Sequence, residues 1–209
     1  MKLFFFDFDK TLYAYDFRRR LPAMAAITGQ SEYHLASTWW AAGYERRAES
    51  GQWPLADEYL AQFEEVTGAR LTLEQWCAAR QQASTPIAAS LDALALAGTL
   101  GTVALLSNNP SPFAESLGVL APEVAAAVGE RSVISCALGI RKPDPAAFLA
   151  AAALVGADPA DCFFADDAAA NVDGAIAAGM TAHHLVYSGG IPQVPAMVAA
   201  ITGFAERTD

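Results

Sequence analysis

The sequence is poor in cysteine and in positive charge and has no long apolar run, and each shortage disfavours a class of protein. Its three cysteines, Cys77, Cys136 and Cys162, have no CxxC or metal-ligand spacing, so we expect small buried side chains in a reducing compartment. The 13 Lys and Arg residues face 23 Asp and Glu, and the net charge of −10 disfavours nucleic acid as a partner. No uncharged apolar stretch approaches the length of a membrane span.

The chain is rich in apolar residues, enough for a large core. Of its 209 residues, 54% are hydrophobic and 17% are charged, which allows one large domain or a core domain with a smaller insert. The initial apolar run, residues 2–6, is too short for a signal peptide and leads into an aspartate. We therefore expect a cytoplasmic protein without a membrane partner.

Strand and helix patterns alternate through the second half of the chain. The run at residues 3–6 has no polar interruption, which is typical of a strand buried on both faces in a parallel sheet. Similar runs, separated by helical segments, predict further strands at 102–106, 132–135, 162–165 and 181–186. The fold class we predict is α/β, with a Rossmann-like parallel sheet as its core.

Residues 14–90 differ from this pattern, because they show helical periodicity and no clear strand. Ser31 is a candidate N-cap, and Thr72 with Gln75 has the character of a capping box. We predict an all-helical cap domain over 14–90, inserted after the first strand, and a core domain formed by 1–13 and 91–209.

Polar residues follow the predicted strands at the points where the strands end. Asp7 and Asp9 lie two positions apart, so in an extended chain their carboxylates point to the same side. Alone, the pair could be only an acidic turn, but two converging like charges otherwise need a divalent cation or a shared proton. The ends of parallel strands lie along one edge of a sheet, which brings Ser107, the Lys142 loop and Asp166–Asp167 to the same place. Such a set suits phosphoryl transfer, where positioning and charge neutralisation dominate catalysis.

These residues resemble the motifs of the haloacid dehalogenase-like (HAD) superfamily. The four motifs appear in order as Asp7-Phe8-Asp9-Lys10-Thr11-Leu12, Leu105-Leu106-Ser107-Asn108, Lys142-Pro143-Asp144-Pro145 and Asp166-Asp167-Ala168-Ala169-Ala170-Asn171. The resemblance covers about 1–13 and 100–190, and the helical insert looks like the cap of subfamily I.

The resemblance implies a role for each matched residue. Asp7 would be the nucleophile that becomes an aspartyl-phosphate, and Asp9 would protonate the leaving alcohol and then activate water. Ser107 would hold a phosphoryl oxygen, and Lys142 would neutralise the charge on Asp7 and on the phosphoryl group. Thr11 and Asn108 are the substrate-binding candidates, although Asn108 could instead only shape its turn.

The implied cofactor is Mg²⁺, bound by the Asp7 carboxylate, the Asp9 backbone carbonyl and an aspartate of the acidic motif. The motif departs from the commonest family form, in which a glycine precedes the metal-binding aspartate. The DDxxxN form here makes Asp167 the ligand, with Asp166 and Asn171 supporting it. A shift by one position would make the ligand Asp166. We favour Asp167, because adjacent side chains diverge and only one can face the metal.

The resulting prediction is a magnesium-dependent phosphomonoester hydrolase acting on a small phosphorylated metabolite. The DDxxxN form and Lys10-Thr11-Leu12-Tyr13 look somewhat like nucleotidase-type relatives. A homodimer is an open alternative to a monomer. A 2-haloacid dehalogenase is a rival that Asp9 argues against. A phosphomutase of the same superfamily would keep the same motifs, and a catalytically silent binding module would have lost at least one of them.

Two conspicuous groups lie in the predicted cap. Trp39 and Trp40 could stack on a substrate ring, but aromatic residues of a cap helix more often pack in the core of the cap. The run Arg18-Arg19-Arg20 could send one guanidinium to the substrate, and the alternative is a solvated basic turn.

Overall fold

The structure, a computed structural model, describes residues 2–207. Its strands, in chain order, are β1 (Leu3–Phe6), β2 (Tyr13–Tyr15), β3 (Ser84–Pro86), β4 (Thr102–Ser107), β5 (Ser132–Ile134), β6 (Cys162–Asp166), β7 (Thr181–His184), β8 (Tyr187–Ser188) and β9 (Ile191–Pro192). Its α-helices are α1 (Phe17–Thr28), α2 (Glu32–Leu35), α3 (Tyr44–Glu49), α4 (Ala56–Thr67), α5 (Leu73–Ala83), α6 (Ala88–Leu100), α7 (Ser111–Leu120), α8 (Pro122–Val128), α9 (Ser135–Leu138), α10 (Pro145–Leu154), α11 (Ala169–Ala177) and α12 (Val194–Ala205). A π-helical segment, Ala36–Ala41, follows α2.

The core is a parallel sheet of five strands in the order β5-β4-β1-β6-β7. The predicted fold class is confirmed. Strand β1 lies at the centre and alternates between two apolar layers, with Phe4 and Phe6 on one face and Leu3 and Phe5 on the other. Helix α12 covers the Phe4 face, where the Phe204 ring lies 5.5 Å from that of Phe4. Both faces are covered, so a continuous apolar run is what this strand requires.

The insert between β1 and β4 contains helices α1 to α5 and the π-helical segment. It is entered and left through a short antiparallel ribbon, in which Tyr13 pairs with Pro86 and Tyr15 with Ser84. The prediction of no strand within 14–90 was therefore wrong at both borders. Three-residue strands are too short to show the alternation that identifies a strand in sequence. The domain limits at 13/14 and 90/91 stay predictions.

Side-chain caps are present at both helix starts that the sequence predicts in the cap. The Ser31 hydroxyl accepts a hydrogen bond from the His34 amide at 3.1 Å. Thr72 and Gln75 form the reciprocal capping box at the start of α5, at 3.2 and 3.0 Å. In the core domain, Asp144 caps α10 through the Ala146 amide at 2.9 Å.

Trp39 is buried in the core of the cap. Its ring lies 5.0 Å from Tyr59 and 5.1 Å from Phe63, and its Nε1 donates to Glu45 at 2.6 Å. The expectation that at least one tryptophan of the pair packs in the cap is confirmed. Arg20 is also buried, 3.5 Å from Glu45, so the basic run is not wholly a solvated turn.

The remaining expectations from composition concern cysteines and membrane spans. Cys77, Cys136 and Cys162 are free and buried, as expected for small core side chains. Within residues 2–207, none of the helices combines the length and apolar character needed to cross a bilayer.

Candidate active site

Four loops meet at the carboxyl edge of the central sheet. Asp7 directly follows β1, Ser107 ends β4 and Asp166 ends β6, while Lys142 lies in the loop between α9 and α10. The side chains predicted from distant parts of the sequence therefore come together in space, as the parallel topology requires.

The Lys142 ammonium lies at the centre of this arrangement and is almost fully buried. It donates to Asp7 Oδ1 at 2.7 Å, to Asp166 Oδ2 at 2.7 Å and to the Leu106 carbonyl at 2.8 Å. All three of its donor sites are used. Burial alone would lower the pKa of Lys142, but the charges of Asp166 and Asp7 outweigh it, so the pKa is raised and the ammonium stays protonated.

Asp7 is buried, and its Oδ1 also accepts a hydrogen bond from the Ser107 hydroxyl at 2.9 Å. Loss of solvent raises the pKa of Asp7 to about 7, against the opposing charge of Lys142 and with further contributions from Asp166 and Asp9. No hydrogen bond to Asp7 Oδ2 occurs within residues 2–207. That second oxygen is therefore available to a ligand or a reacting group.

Asp9 has different surroundings, because its side chain is 26% exposed and receives donors from two sides. Asn109 Nδ2, which also donates to Ser107 Oγ at 3.1 Å, reaches Asp9 Oδ2 at 3.2 Å. Arg80 Nη2, from cap helix α5, donates to Asp9 Oδ1 in a short ion pair.

Asn109 and Arg80 were not predicted. The signal for Asn109 is that it stands two positions after Ser107, where an extended chain returns to the same side. Arg80 gives no comparable signal, because nothing in the spacing of a helical insert identifies the residue that will face the core.

The chain turns sharply after Asp9. Lys10 adopts φ 60°, a left-handed conformation uncommon for a residue with a side chain. Its carbonyl accepts a hydrogen bond from the Tyr187 hydroxyl at 2.6 Å. Such strain is typical of functional sites, and here the turn leads from the carboxyl edge of the sheet into strand β2.

The two aspartates of the acidic motif have separate roles in the structure. Asp166 is fully buried and accepts three hydrogen bonds, from Lys142, from Asn171 Nδ2 at 2.9 Å and from the Ala168 amide at 2.8 Å. Asp167 is partly buried, and no side-chain hydrogen bond to it occurs in the described part of the chain. Burial and the charge of Asp166 raise the pKa of Asp167.

The donor set fits a hard divalent cation. Asp7, Asp166 and Asp167 each place one carboxylate oxygen within 4.8 Å of the others. Oxygen ligands of this kind suit Mg²⁺, which keeps several waters and needs few carboxylates. The unpaired Asp167 carboxylate is free for direct coordination, while the oxygens of Asp166 already accept hydrogen bonds.

The two substrate-binding candidates occupy different positions. The side-chain amide of Asn108 holds the backbone of Lys142, accepting from its N–H at 3.0 Å and donating to its carbonyl at 2.9 Å. Thr11 is fully buried, and its hydroxyl has no partner within residues 2–207. Substrate contact by either residue stays a prediction.

An open cavity of about 480 Å³ borders the acidic motif. Its lining combines charged, aromatic and apolar side chains: Lys10, Ala14, Tyr15, Asp167, His184, Leu185, Val186 and Tyr187. The cap also contacts the loop that carries Lys142, where Arg141 forms an ion pair with Glu49 at 2.5 Å.

Comparison with known proteins places the chain in a family. A family model described as haloacid dehalogenase-like hydrolase matches residues 1–179. The HAD family enzyme bt-2542 from Bacteroides thetaiotaomicron, solved with magnesium and inorganic phosphate, is 23% identical, with a TM-score of 0.73 over 88% of this chain and 93% of that one. A predicted HAD-like family hydrolase from Porphyromonas gingivalis is 21% identical, with a TM-score of 0.73 over 100% of this chain and 99% of that one.

A third similar structure is the L-2-haloacid dehalogenase RSc1362, which is 14% identical with a TM-score of 0.63 over 97% of this chain and 99% of that one. No curated protein sequence matches the chain. At these identities the solved structures are evidence for the fold alone. The match to the family model shows that the chain belongs to the family. The chain belongs to the haloacid dehalogenase-like hydrolases, with the helical cap of subfamily I inserted after the first strand.

Proposed function

We propose that this protein is a magnesium-dependent phosphomonoester hydrolase that acts on a small phosphorylated metabolite through an aspartyl-phosphate. The observation that carries the proposal is the unequal environment of two carboxylates at one strand end. Asp7 is buried against Lys142 and Ser107, with one oxygen left free. Asp9 is partly exposed and faces the cap.

The reaction has two steps. A carboxylate oxygen of Asp7 attacks phosphorus, the bond from phosphorus to the alcohol oxygen breaks, and Asp9 gives its proton to that oxygen. Asp9 then takes a proton from water, whose oxygen attacks phosphorus and displaces the Asp7 carboxylate. The products are the alcohol and inorganic phosphate, and both aspartates return to their initial state.

Lys142 and Ser107 supply fixed positive charge and a hydroxyl beside the reacting oxygen. Lys142 is held by three acceptors, so it does not need to reorient as charge develops. In the proposed roles Ser107 holds a phosphoryl oxygen, and Thr11 and Asn108 contribute to substrate binding.

The proposed metal ligands are Asp7, Asp167 and the Asp9 backbone carbonyl, with Asp166 holding Lys142 beside them. Bound Mg²⁺ would withdraw charge from phosphoryl oxygens and favour the ionised form of Asp7. The magnesium and phosphate bound to bt-2542, which has this fold, support both the cation and the ligand class.

Phosphate release from a generic aryl phosphate tests the proposal. Wild-type protein should release phosphate with magnesium and lose that activity in EDTA, and Asp7→Asn should be inactive under both conditions. Equal activity of wild type and Asp7→Asn would refute the nucleophile. A screen of phosphorylated metabolites, including nucleoside monophosphates, would then define the substrate.

The two aspartates of the acidic motif can be separated by their magnesium dependence. Asp167→Asn should raise the magnesium concentration for half-maximal activity by about tenfold or more, because it removes a direct ligand. Asp166→Asn should lower the maximal rate with a smaller change in magnesium dependence, because it disturbs Lys142. The reverse order would make Asp166 the ligand.

The relative RSc1362 makes dehalogenation the alternative reaction to test. A dehalogenase needs neither a metal nor a second aspartate to move protons, whereas Asp9 is held here by two donors. Halide release from a 2-haloacid without phosphate release from any ester would replace the proposal.

A further inference from the structure

Arg80 reaches from the cap to the carboxylate of Asp9. It lies near the end of helix α5, is 1% exposed and directs Nη2 at Asp9 Oδ1. The other oxygen of Asp9 accepts from Asn109 at 3.2 Å. The proton-transferring group is therefore held by one donor from the core and one from the cap.

Two aromatic rings pack against the Arg80 guanidinium. Its central carbon lies 4.1 Å from the ring centroid of Tyr15, on strand β2, and 5.4 Å from that of Phe113, in core helix α7. The next residue, Gln81, donates to the Val119 carbonyl at the end of α7 at 3.3 Å. Arg80 consequently occupies this position when α5 is packed on α7.

The contacts of Arg80 would be energetically unfavourable if its only role were to anchor helix α5. Its Nε is buried and has no partner among residues 2–207, and its Nη2 binds a carboxylate that is itself partly exposed. Burying an incompletely paired guanidinium costs free energy that an apolar side chain would not. The contact with Asp9 therefore explains the buried position of Arg80 better than an anchoring role does.

We propose that Arg80 is a positioning residue, which orients Asp9 for proton transfer and thereby makes that transfer depend on the docked cap. The proposal rests on the phosphomonoesterase function above. Without Arg80, the Asp9 side chain would keep one donor and gain rotational freedom. Misplacement of a catalytic group by about 1 Å can cost about 100-fold in rate.

Leaving-group dependence distinguishes this role from a structural one. An aryl phosphate releases a weakly basic phenolate that hardly needs protonation, whereas a simple alkyl phosphate releases an alkoxide that does. The quantity to compare is kcat/KM, because it includes formation of the aspartyl-phosphate but not its hydrolysis. The variants are Arg80→Gln and Arg80→Lys, and the control is Arg70→Gln, at an exposed arginine between α4 and α5.

Arg80→Gln should lower kcat/KM about 100-fold for the alkyl phosphate and less than about tenfold for the aryl phosphate, mainly through kcat. Arg80→Lys, which keeps a donor, should recover part of the loss, and Arg70→Gln should match wild type. Equal losses on both esters, a change confined to KM, or no change would overturn the role of Arg80. If the wild type hydrolyses neither ester, the phosphomonoesterase function itself fails, which distinguishes the two failures.

Discussion

Replacement of Lys142 by methionine tests the electrostatic design of the site. The substitution keeps an unbranched side chain of similar length and removes the positive charge between Asp7 and Asp166. Because all three groups are buried, no solvent replaces the lost hydrogen bonds. Two carboxylates then face each other without a cation.

The expected cost follows from the contacts that are lost. Removing one partner of a buried ion pair typically destabilises a protein by about 3–5 kcal/mol, since the remaining charge is left uncompensated. Here two carboxylates lose their partner, each at 2.7 Å, but protonation of one of them limits the penalty. We therefore expect a loss of about 3–5 kcal/mol in unfolding free energy at pH 8. A domain in the middle or upper part of the usual range of about 5–15 kcal/mol would still fold.

The loss should depend on pH in a defined direction. Without Lys142 the folded-state pKa of Asp7 rises further above its unfolded value, because the charge that opposes the effect of burial is gone. A raised carboxyl pKa contributes stability at low pH, and that contribution disappears as the pH rises through the folded value. The difference between variant and wild type should therefore shrink from pH 8 towards pH 5.

Urea unfolding followed by tryptophan fluorescence, in EDTA at pH 5 to 8, measures these differences. Lys10→Met is the matched control, because it removes an exposed lysine of the same site loop. Its effect should stay within about 0.5 kcal/mol. A loss below about 1 kcal/mol for Lys142→Met at pH 8, or a loss that grows on acidification, would refute the reasoning.

Three further predictions concern the loop that carries Lys142, the ion pair between the cap and that loop, and phosphate binding. A Cβ at Gly174 would lie 2.1 Å from the carbonyl oxygen of Pro143, so Gly174→Ala should displace the Lys142 loop and reduce activity at least tenfold. The control Gly118→Ala, which has open space around its Cβ, should keep full activity. Burial raises the pKa of Glu49 to about 7 against the charge of Arg141. The wild type should therefore lose up to about 3 kcal/mol of unfolding free energy as the pH rises from about 4.5 to 7. Urea titrations of Glu49→Gln should show a smaller loss over the same range. Calorimetric titration with inorganic phosphate should show binding in magnesium and none in EDTA; equal affinities would contradict the charge argument.

The sequence was sufficient to predict the sheet and the four side chains that gather at its carboxyl edge. Buried parallel strands are continuous apolar runs, and their order along the chain alternates with helices, so both can be recognised without any contact information. Once the sheet is parallel, topology alone brings Asp7, Ser107, Lys142 and Asp166 to one edge. These residues belong to elements with strong local signals.

The missing features depend on tertiary packing. Arg80 is one of several polar residues on α5, and only the docking of that helix on α7 selects it for contact with Asp9. The β2–β3 ribbon joins segments about 70 residues apart, and three-residue strands carry too little pattern to be detected. The partner of Asn108, the backbone of Lys142, likewise depends on a loop whose path the sequence does not specify.

The charge balance of the site connects its residues to its chemistry. Asp7, Asp166 and Asp167 converge, and Lys142 is the one ammonium that contacts this cluster within residues 2–207, so the ionised site carries two uncompensated negative charges. Burial and the neighbouring carboxylates raise the pKa values of Asp7 and Asp167, which favours bound protons at this site. In the proposed reaction a phosphate monoester would bring further negative charge to the same place, so a divalent cation would be needed for that substrate to bind and for Asp7 to be ionised when it attacks.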